Sequence, residues 1–274
     1  QNSQHCQHSA RYRPQSGRNA GQMKKRVPSE FKFLAFILAA LLFLCLPALF
    51  AFAGADELPR TARSDAAYAR NAPLLERDMA ADGLSFEQPL YLRLTKQPAE
   101  LTAFVASQNG QFQAFRTWPV CSVSGGLGPK LREGDEQAPE GFYSVKPEAM
   151  NPASTYHLSF NLGFPNAYDR AQGRTGSFLM VHGSCVSIGC FAMTDAGMEE
   201  IWTLMQAAFA GGQTAIPVHI FPFPMTPDNL ERHANNANAE FWQALTPAWN
   251  AFETNGLVPD VAVRRGDYVV RAAQ

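Results

Sequence analysis

The segment from Phe178 to Gly212 constrains the fold most, because it predicts a strand, a tight turn and a helix in direct succession. The apolar run Phe178-Leu179-Met180-Val181 contains no residue that typically caps or ends a helix, and it predicts a buried strand. Thr194 or Asp195 can cap a helix, which Gly211-Gly212 would end. The apolar residues of this helix fall on one face; they are Met198, Ile201, Trp202 and Met205. The segment therefore predicts a domain that mixes strands and helices.

The predicted turn carries a histidine and a cysteine. His182 ends the apolar run, and Cys190 follows Gly189 before the helix begins. A histidine beside a cysteine raises the fraction of reactive thiolate, as base or as neighbouring cation. The turn is thus a candidate site for nucleophilic catalysis by Cys190.

Three other interpretations of this turn are open. A cysteine near a histidine also occurs as ordinary buried structure. Cys185 and Cys190 could form a disulfide, which would leave no nucleophile. His182, Cys185 and Cys190 could be zinc ligands, although a clear fourth ligand is missing.

The N-terminal part predicts export. Met23 precedes Lys24-Lys25-Arg26, an apolar run extends from 33 to 53, and it ends in Ala51-Phe52-Ala53. This basic, apolar and small-residue order is typical of a secretory signal. We expect an upstream extension over 1–22 and a signal peptide, or an uncleaved membrane anchor, over 23–53.

Export of the folded part to the periplasm or cell envelope makes the remaining cysteines informative. Beyond residue 53 they are Cys121, Cys185 and Cys190, and an odd number leaves at least one thiol outside any intramolecular disulfide. Cys121 is predicted to be a buried strand residue. The formal net charge of −1 gives no reason to expect nucleic-acid binding.

Alternating apolar residues predict strands in the middle of the chain. A linker and a short surface helix near 72–81 occupy 54–84, and the folded domain starts near residue 85. Strands are predicted at 90–94, 101–105, 112–118, 142–145, 156–160 and 215–221, with a hairpin turn at Asn109-Gly110. Pro217 favours an edge position or a strand start. The Gly-rich segment 124–139 is a predicted loop without a nucleotide-binding ending.

The C-terminal part predicts helix and then strand. Phe241, Trp242, Leu245, Trp249 and Phe252 recur at helical spacing, and Thr246-Pro247 would start a new helix or kink this one. A short strand over 261–270, with a turn at Gly266-Asp267, closes the chain.

The turn and several upstream motifs together resemble one known family. His182-Gly183 followed by Ser187-Ile188-Gly189-Cys190 is similar to the catalytic motif of the L,D-transpeptidase (YkuD-domain) family, and most to its YafK-like branch. The upstream motifs are Gly128-Pro129-Lys130, Gly134-Asp135, Pro139-Glu140-Gly141-Phe142-Tyr143, Asn151-Pro152 and Phe164-Pro165-Asn166-Ala167-Tyr168-Asp169-Arg170. The resemblance covers roughly residues 85–225.

The resemblance assigns roles to single residues. It implies that Cys190 is the nucleophile, His182 its base, and the Gly189 and Cys190 amides the oxyanion donors. The candidates for substrate binding are Lys130, Arg132, Tyr168, Arg174 and Ser187, with packing or ion pairing as the alternative for Tyr168 and Arg174. His157 is a rival base, although it is more typical of a strand face, and His219 would lie near the site or on the polar face of its strand.

The sequence departs from the family pattern at three positions. Ile188 stands where the motif has its second histidine, and Phe191 and Ala192 stand where many members carry an Arg or Asn.

The resemblance also implies a fold and an activity. The fold is a β-rich α+β L,D-transpeptidase catalytic domain over 85–225, with a helical C-terminal extension over 226–274. The substrates are peptidoglycan stem peptides containing meso-diaminopimelate, and no metal or organic cofactor is implied. A thioester at Cys190 would pass to an amine in transpeptidation, or to water in a hydrolysis that releases a lipoprotein or peptide. A non-enzymatic cell-wall-binding protein with Cys185 joined to Cys190 is the alternative of a different class.

Overall fold

The computed structural model describes residues 58–271 and residue 273. The predicted upstream extension over 1–22 and the predicted signal or anchor over 23–53 lie outside the described residues, as do residues 54–57. None of the helices within 58–271 is both long and apolar enough to cross a bilayer.

The described chain alternates short strands with five α-helices. The helices are α1 (Ala62–Ala81), α2 (Ala167–Ala171), α3 (Asp195–Ala210), α4 (Pro227–Arg232) and α5 (Ala239–Asn255). The first six strands are β1 (Leu90–Lys96), β2 (Ala99–Ala106), β3 (Phe112–Pro119), β4 (Ser122–Val123), β5 (Gly141–Val145) and β6 (Met150–Asn151). The other six are β7 (Ser159–Asn161), β8 (Met180–His182), β9 (Phe191–Ala192), β10 (Ile216–Phe221), β11 (Asp260–Arg264) and β12 (Asp267–Arg271).

The first sheet has the strand order β3-β2-β1-β10-β5. Its first three strands form the antiparallel meander that the alternating residues predicted, whereas β10 joins β1 in parallel. The predicted edge position of Pro217 is wrong, because β10 lies between β1 and β5. Pro217 is instead the second residue of its strand, which is the other position expected for it.

The second sheet has the order β4-β9-β8-β7-β6 and carries the turn of interest. The strand predicted over 156–160 is wrong at its start, because β7 begins at Ser159 and His157 has a left-handed backbone with φ 65°. The prediction that Cys121 is a buried strand residue is also wrong. Cys121 is exposed and lies at a bend between β3 and β4.

Two long helices pack against each other over the main core. α1 starts ten residues earlier than the predicted helix near 72–81, because Thr61 and Ser64 form a capping box at its N-terminus. Its buried Ala67, Leu75 and Met79 belong to the same apolar cluster as Met198 and Ile201 of α3. Helix α1 therefore contributes to the packed core, which the prediction of a linker and a short surface helix over 54–84 missed.

The C-terminal residues pack on the first sheet. Trp242, Leu245 and Trp249 of α5 share an apolar cluster with Phe142 of β5 and Phe221 of β10. α5 continues through Pro247, and the predicted last strand is a hairpin of β11 and β12. The observed architecture confirms the predicted β-rich α+β class.

Candidate functional site

The turn 183–190 joins two neighbouring strands of the second sheet. β8 and β9 are parallel, with Val181 opposite Phe191 and His182 opposite Ala192. His182 is the last residue of β8 and Cys190 directly precedes β9, so in this parallel pairing Cys190 lies level with Met180, at the other end of β8 from His182. Gly183 fits here because a Cβ atom at this position would lie 2.5 Å from Asp195 Oδ1.

His182 is buried and held in one orientation. Its Nδ1 donates a hydrogen bond to the Gly183 carbonyl oxygen at 2.6 Å, and its ring lies 4.8 Å from that of Tyr156. Because a carbonyl only accepts, Nδ1 carries the proton, and Nε2 of the neutral ring is the nitrogen that can take up another. Burial lowers the pKa of His182 below its ordinary 6.5, and the bond to Gly183 opposes that shift.

Cys190 is buried, and Ser187 fixes its main chain. Its N–H donates to Ser187 Oγ at 3.0 Å, and Ser187 Oγ donates to the Cys190 carbonyl at 2.6 Å. Ser187 Oγ also lies 2.9 Å from Ser124 Oγ, which must then be the donor. Ser187, a predicted substrate-binding residue, thus contacts the main chain of Cys190, and the Cys190 amide predicted as an oxyanion donor is engaged with it.

A pocket opens beside Cys190. Its lining residues are Lys130, Glu133, Gly134, Glu136, Ser177, Phe178, Leu179, Ile188, Gly189 and Cys190. Three predicted site residues, Lys130, Gly189 and Cys190, are therefore brought together. Lys130 Nζ contacts Asp135 Oδ1 at 2.5 Å and the Arg132 carbonyl at 2.9 Å, so its charge is already paired.

The loop 124–140 forms one wall of this pocket. Its main chain is held by Lys96 and Glu140, which were not among the predicted site residues. Lys96 Nζ donates to the carbonyl oxygens of Gly128 and Ala138, each at 2.7 Å. It also lies 3.2 Å from Glu140 Oε1, and Glu140 Oε2 accepts from Trp242 Nε1 at 2.8 Å. A lysine at the end of the apolar strand β1 is the signal that could have indicated this buried pair.

The remaining predicted substrate-binding residues lie elsewhere. Arg174 is buried against Asp169, with 2.8 Å between Nη1 and Oδ1, and its guanidinium lies over the rings of Tyr168 and Phe241. Tyr168 also stacks on Tyr268 at 4.1 Å. Neither Tyr168 nor Arg174 lines the pocket. Their contacts are the packing and ion pairing that the alternative interpretation expected. Arg132 is exposed on the pocket loop and contributes its carbonyl oxygen to Lys130.

The two rival histidines are engaged away from the pocket. His157 Nε2 lies 2.9 Å from Glu199 Oε1 of α3. His219 is buried among aromatic rings, and its Nδ1 lies 3.2 Å from the Tyr91 hydroxyl. Burial lowers the pKa of His219 to about 3.

A disulfide joins Cys121 to Cys185, with 5.3 Å between their Cα atoms. It contradicts the alternative of a Cys185–Cys190 disulfide and removes Cys185 from the hypothetical zinc site. Within residues 58–271, no group of three or more His, Cys, Asp and Glu side chains could hold a metal ion.

The structure is an α+β domain in which the turn 183–190 leads from the buried His182 to Cys190, and Cys190 lines the pocket. Residues 97–253 match the family model described as the L,D-transpeptidase catalytic domain, YkuD, and the chain belongs to this family. Among its relatives is YafK of Escherichia coli (strain K12), whose name assigns it to the L,D-transpeptidases. The two chains are 44% identical over 182 residues, which are 66% of this chain and 74% of YafK. The YafK of Escherichia coli O157:H7 has the same identity and coverage.

Two solved structures show weaker similarity. One is the helical cell shape determining protein Pgp2 from Campylobacter jejuni, at 20% identity and a TM-score of 0.41, covering 62% of this chain and 60% of that one. The other is Bd1075 of Bdellovibrio bacteriovorus, at 19% identity and a TM-score of 0.35, covering 61% of this chain and 60% of that one.

Proposed function

We propose that this protein is a peptidoglycan-modifying cysteine acyltransferase whose nucleophile is Cys190. The observation that carries the proposal is a buried cysteine that lines the pocket and ends a turn that begins after His182, a buried histidine whose Nδ1 is tied to Gly183. Membership of the L,D-transpeptidase family supports the reaction class and peptidoglycan as the substrate.

The proposed reaction passes through a thioester. His182 Nε2 takes the Cys190 thiol proton, and the thiolate sulfur attacks an amide carbonyl of the stem peptide. The new C–S bond forms, the amide C–N bond breaks, and the leaving amine receives the proton from His182. An acceptor amine then attacks the thioester, which forms a new amide and returns Cys190 as a thiol. The Gly189 N–H, which takes no part in the bonds among Ser124, Ser187 and Cys190, is the proposed oxyanion donor.

The proposed substrates are stem peptides that contain meso-diaminopimelate, as the family resemblance of the sequence implies. We place the protein in the periplasm or cell envelope, exported by its N-terminal segment. The exposed Cys121–Cys185 disulfide supports this location, since disulfides persist mainly in oxidising compartments.

Hydrolysis is the second candidate, and one observation favours it. Phe191 and Ala192 are fully buried at the positions where many family members carry an Arg or Asn. Neither side chain could hold a charged acceptor, and water would then resolve the thioester. A hydrolase of this kind would release a peptide or a peptidoglycan-linked lipoprotein.

Mass spectrometry of the full chain incubated with peptidoglycan fragments tests the proposal. We expect an acyl adduct on Cys190 in the wild type and neither adduct nor product in Cys190→Ala. The matched histidine pair is His182→Gln, which should lose turnover, and His157→Gln, which should keep it. Crosslinked or exchanged products indicate transfer, whereas simple release indicates hydrolysis. Full product formation by Cys190→Ala would overturn the assignment.

A further inference from the structure

We propose that the Cys121–Cys185 disulfide is a positioning element that holds the turn 183–190 in the conformation that Cys190 needs as a nucleophile. The inference rests on the proposed function, because it assigns the disulfide a role in the reaction of Cys190. It adds two residues, Cys121 and Cys185, that do not line the pocket and would act through the turn.

The turn adopts a backbone conformation that its own residues do not favour. Ser184 and Cys185 both have left-handed backbones, with φ of 71° and 48°. Non-glycine residues rarely adopt this conformation unless the surrounding structure imposes it. The turn must therefore be held by contacts from outside.

Apolar packing does not supply those contacts. Ser184, Cys185 and Val186 are all exposed, and Val186 keeps 58% of its surface in contact with solvent. The observed restraints are polar and covalent. Asp195 Oδ1 accepts from the Ser184 N–H at 2.7 Å, and the disulfide fixes the next residue.

The disulfide ties the turn to the strand that follows Cys190. Cys121 directly precedes β4, which pairs with β9, and its N–H donates to the Ala192 carbonyl at 2.8 Å. The Cys185 N–H donates to the Met193 carbonyl at 3.2 Å. The covalent bond thus closes the turn onto the strand that follows Cys190. Its loss would leave only main-chain hydrogen bonds, Ser184 to Asp195 and Cys185 to Met193, to hold this part of the turn.

The test compares the full wild-type chain with the double variant Cys121→Ser/Cys185→Ser. The double substitution leaves Cys190 without another thiol to pair with in residues 54–274. We expect kcat on peptidoglycan fragments to fall roughly 10- to 100-fold with KM within about twofold, because misplacement by about 1 Å can cost that much in rate. A merely stabilising disulfide would leave kcat unchanged below the unfolding temperature, and that result would overturn the inference.

Reduction provides the matched comparison. A small-molecule dithiol converts the wild-type disulfide to two thiols while it becomes a disulfide itself. The wild type should lose kcat on reduction and regain it on reoxidation, whereas the double variant should not respond. Phe252→Ala, which removes a buried ring next to Tyr91 on the first sheet, controls for a general loss of stability and should keep its kcat.

A measurement without substrate separates this inference from the proposed function. Hydrogen exchange of the amides in 183–190 should accelerate at least tenfold in the double variant, and those of β1 should not change. Unchanged exchange in the turn, with a fully active wild type, overturns the positioning role alone. A wild type without turnover rejects the proposed function and with it the catalytic meaning of the disulfide.

Discussion

Lys96 and Glu140 form an ion pair that is almost completely withdrawn from solvent, with 3.2 Å between Nζ and Oε1. Lys96 lies at the end of β1, and Glu140 precedes β5 at the end of the pocket loop. Glu140 also accepts from the Gly128 N–H at 2.7 Å. The pair therefore links the first sheet, the loop beside Cys190 and, through Trp242, the helix α5.

Lys96→Met should destabilise the protein strongly. Removal of one partner leaves the Glu140 carboxylate buried without its counter-charge, which costs about 3–5 kcal/mol in free energy of unfolding. Arg60→Met is the matched control, because the Arg60–Asp65 pair is about half exposed and is worth less than about 1 kcal/mol. Urea unfolding measures both variants. In the double variant Lys96→Met/Glu140→Gln the losses should be less than additive, and simple additivity would show that the two side chains are not coupled.

Ser187→Ala should affect turnover more than substrate binding. The substitution removes the oxygen that joins the Cys190 N–H, the Cys190 carbonyl and Ser124. We expect kcat to fall about tenfold or more through misplacement of Cys190. Ser124→Ala, which removes one of the three bonds, should have a smaller effect. Steady-state kinetics decides, since a raised KM with unchanged kcat would instead support the substrate-binding role predicted from the sequence.

Local patterns were sufficient to predict the segment that carries the site. The apolar run before His182 and the capped helix after Thr194 are short-range features, and both β8 and α3 form there. The prediction of one turn from strand to helix is only partly right, because His182 is the last residue of β8 and the short strand β9 lies between Cys190 and α3.

Long-range pairings could not be obtained in the same way. Cys121 and Cys185 are separated by 64 residues, and an odd number of cysteines leaves their connectivity open. Arg174 is polar and near a family motif, yet Asp169 neutralises it within the fold. Lys96 follows an alternating strand pattern, and only the packed structure reveals its burial against Glu140. In each case the partner is chosen by tertiary packing, which a local pattern does not encode.

The pH dependence of turnover should reflect the burial of His182. Because burial lowers its pKa below 6.5, the imidazole stays neutral and able to accept a proton at pH 7. The acid limb of kcat/KM should therefore have its midpoint below pH 6.5. His157→Gln should show the same profile. A midpoint above pH 6.5 would mean that the essential base is another group or that His182 is stabilised as a cation.

The buried His219 should make stability fall in acid. Its pKa is lowered to about 3, first by burial and then by the nearby charge of Arg93. Below pH 6.5 the unfolded chain binds a proton at this position that the folded protein does not bind until about pH 3. The contribution of His219 to the free energy of unfolding is therefore present in full above pH 6.5. It is lost as the pH falls toward 3, by about 1.4 kcal/mol per pH unit.

His219→Gln isolates this contribution, because glutamine does not titrate and can still pair with the Tyr91 hydroxyl. The free energy of unfolding in urea should be measured from pH 7 to pH 4. Its decline per pH unit should be smaller in His219→Gln by about 1.4 kcal/mol, the slope that one proton contributes. His157→Gln, which removes an imidazole beside Glu199 instead of the one buried among aromatic rings, is the control. Parallel curves for the wild type and His219→Gln would show that the folded protein protonates His219 as readily as the unfolded chain does.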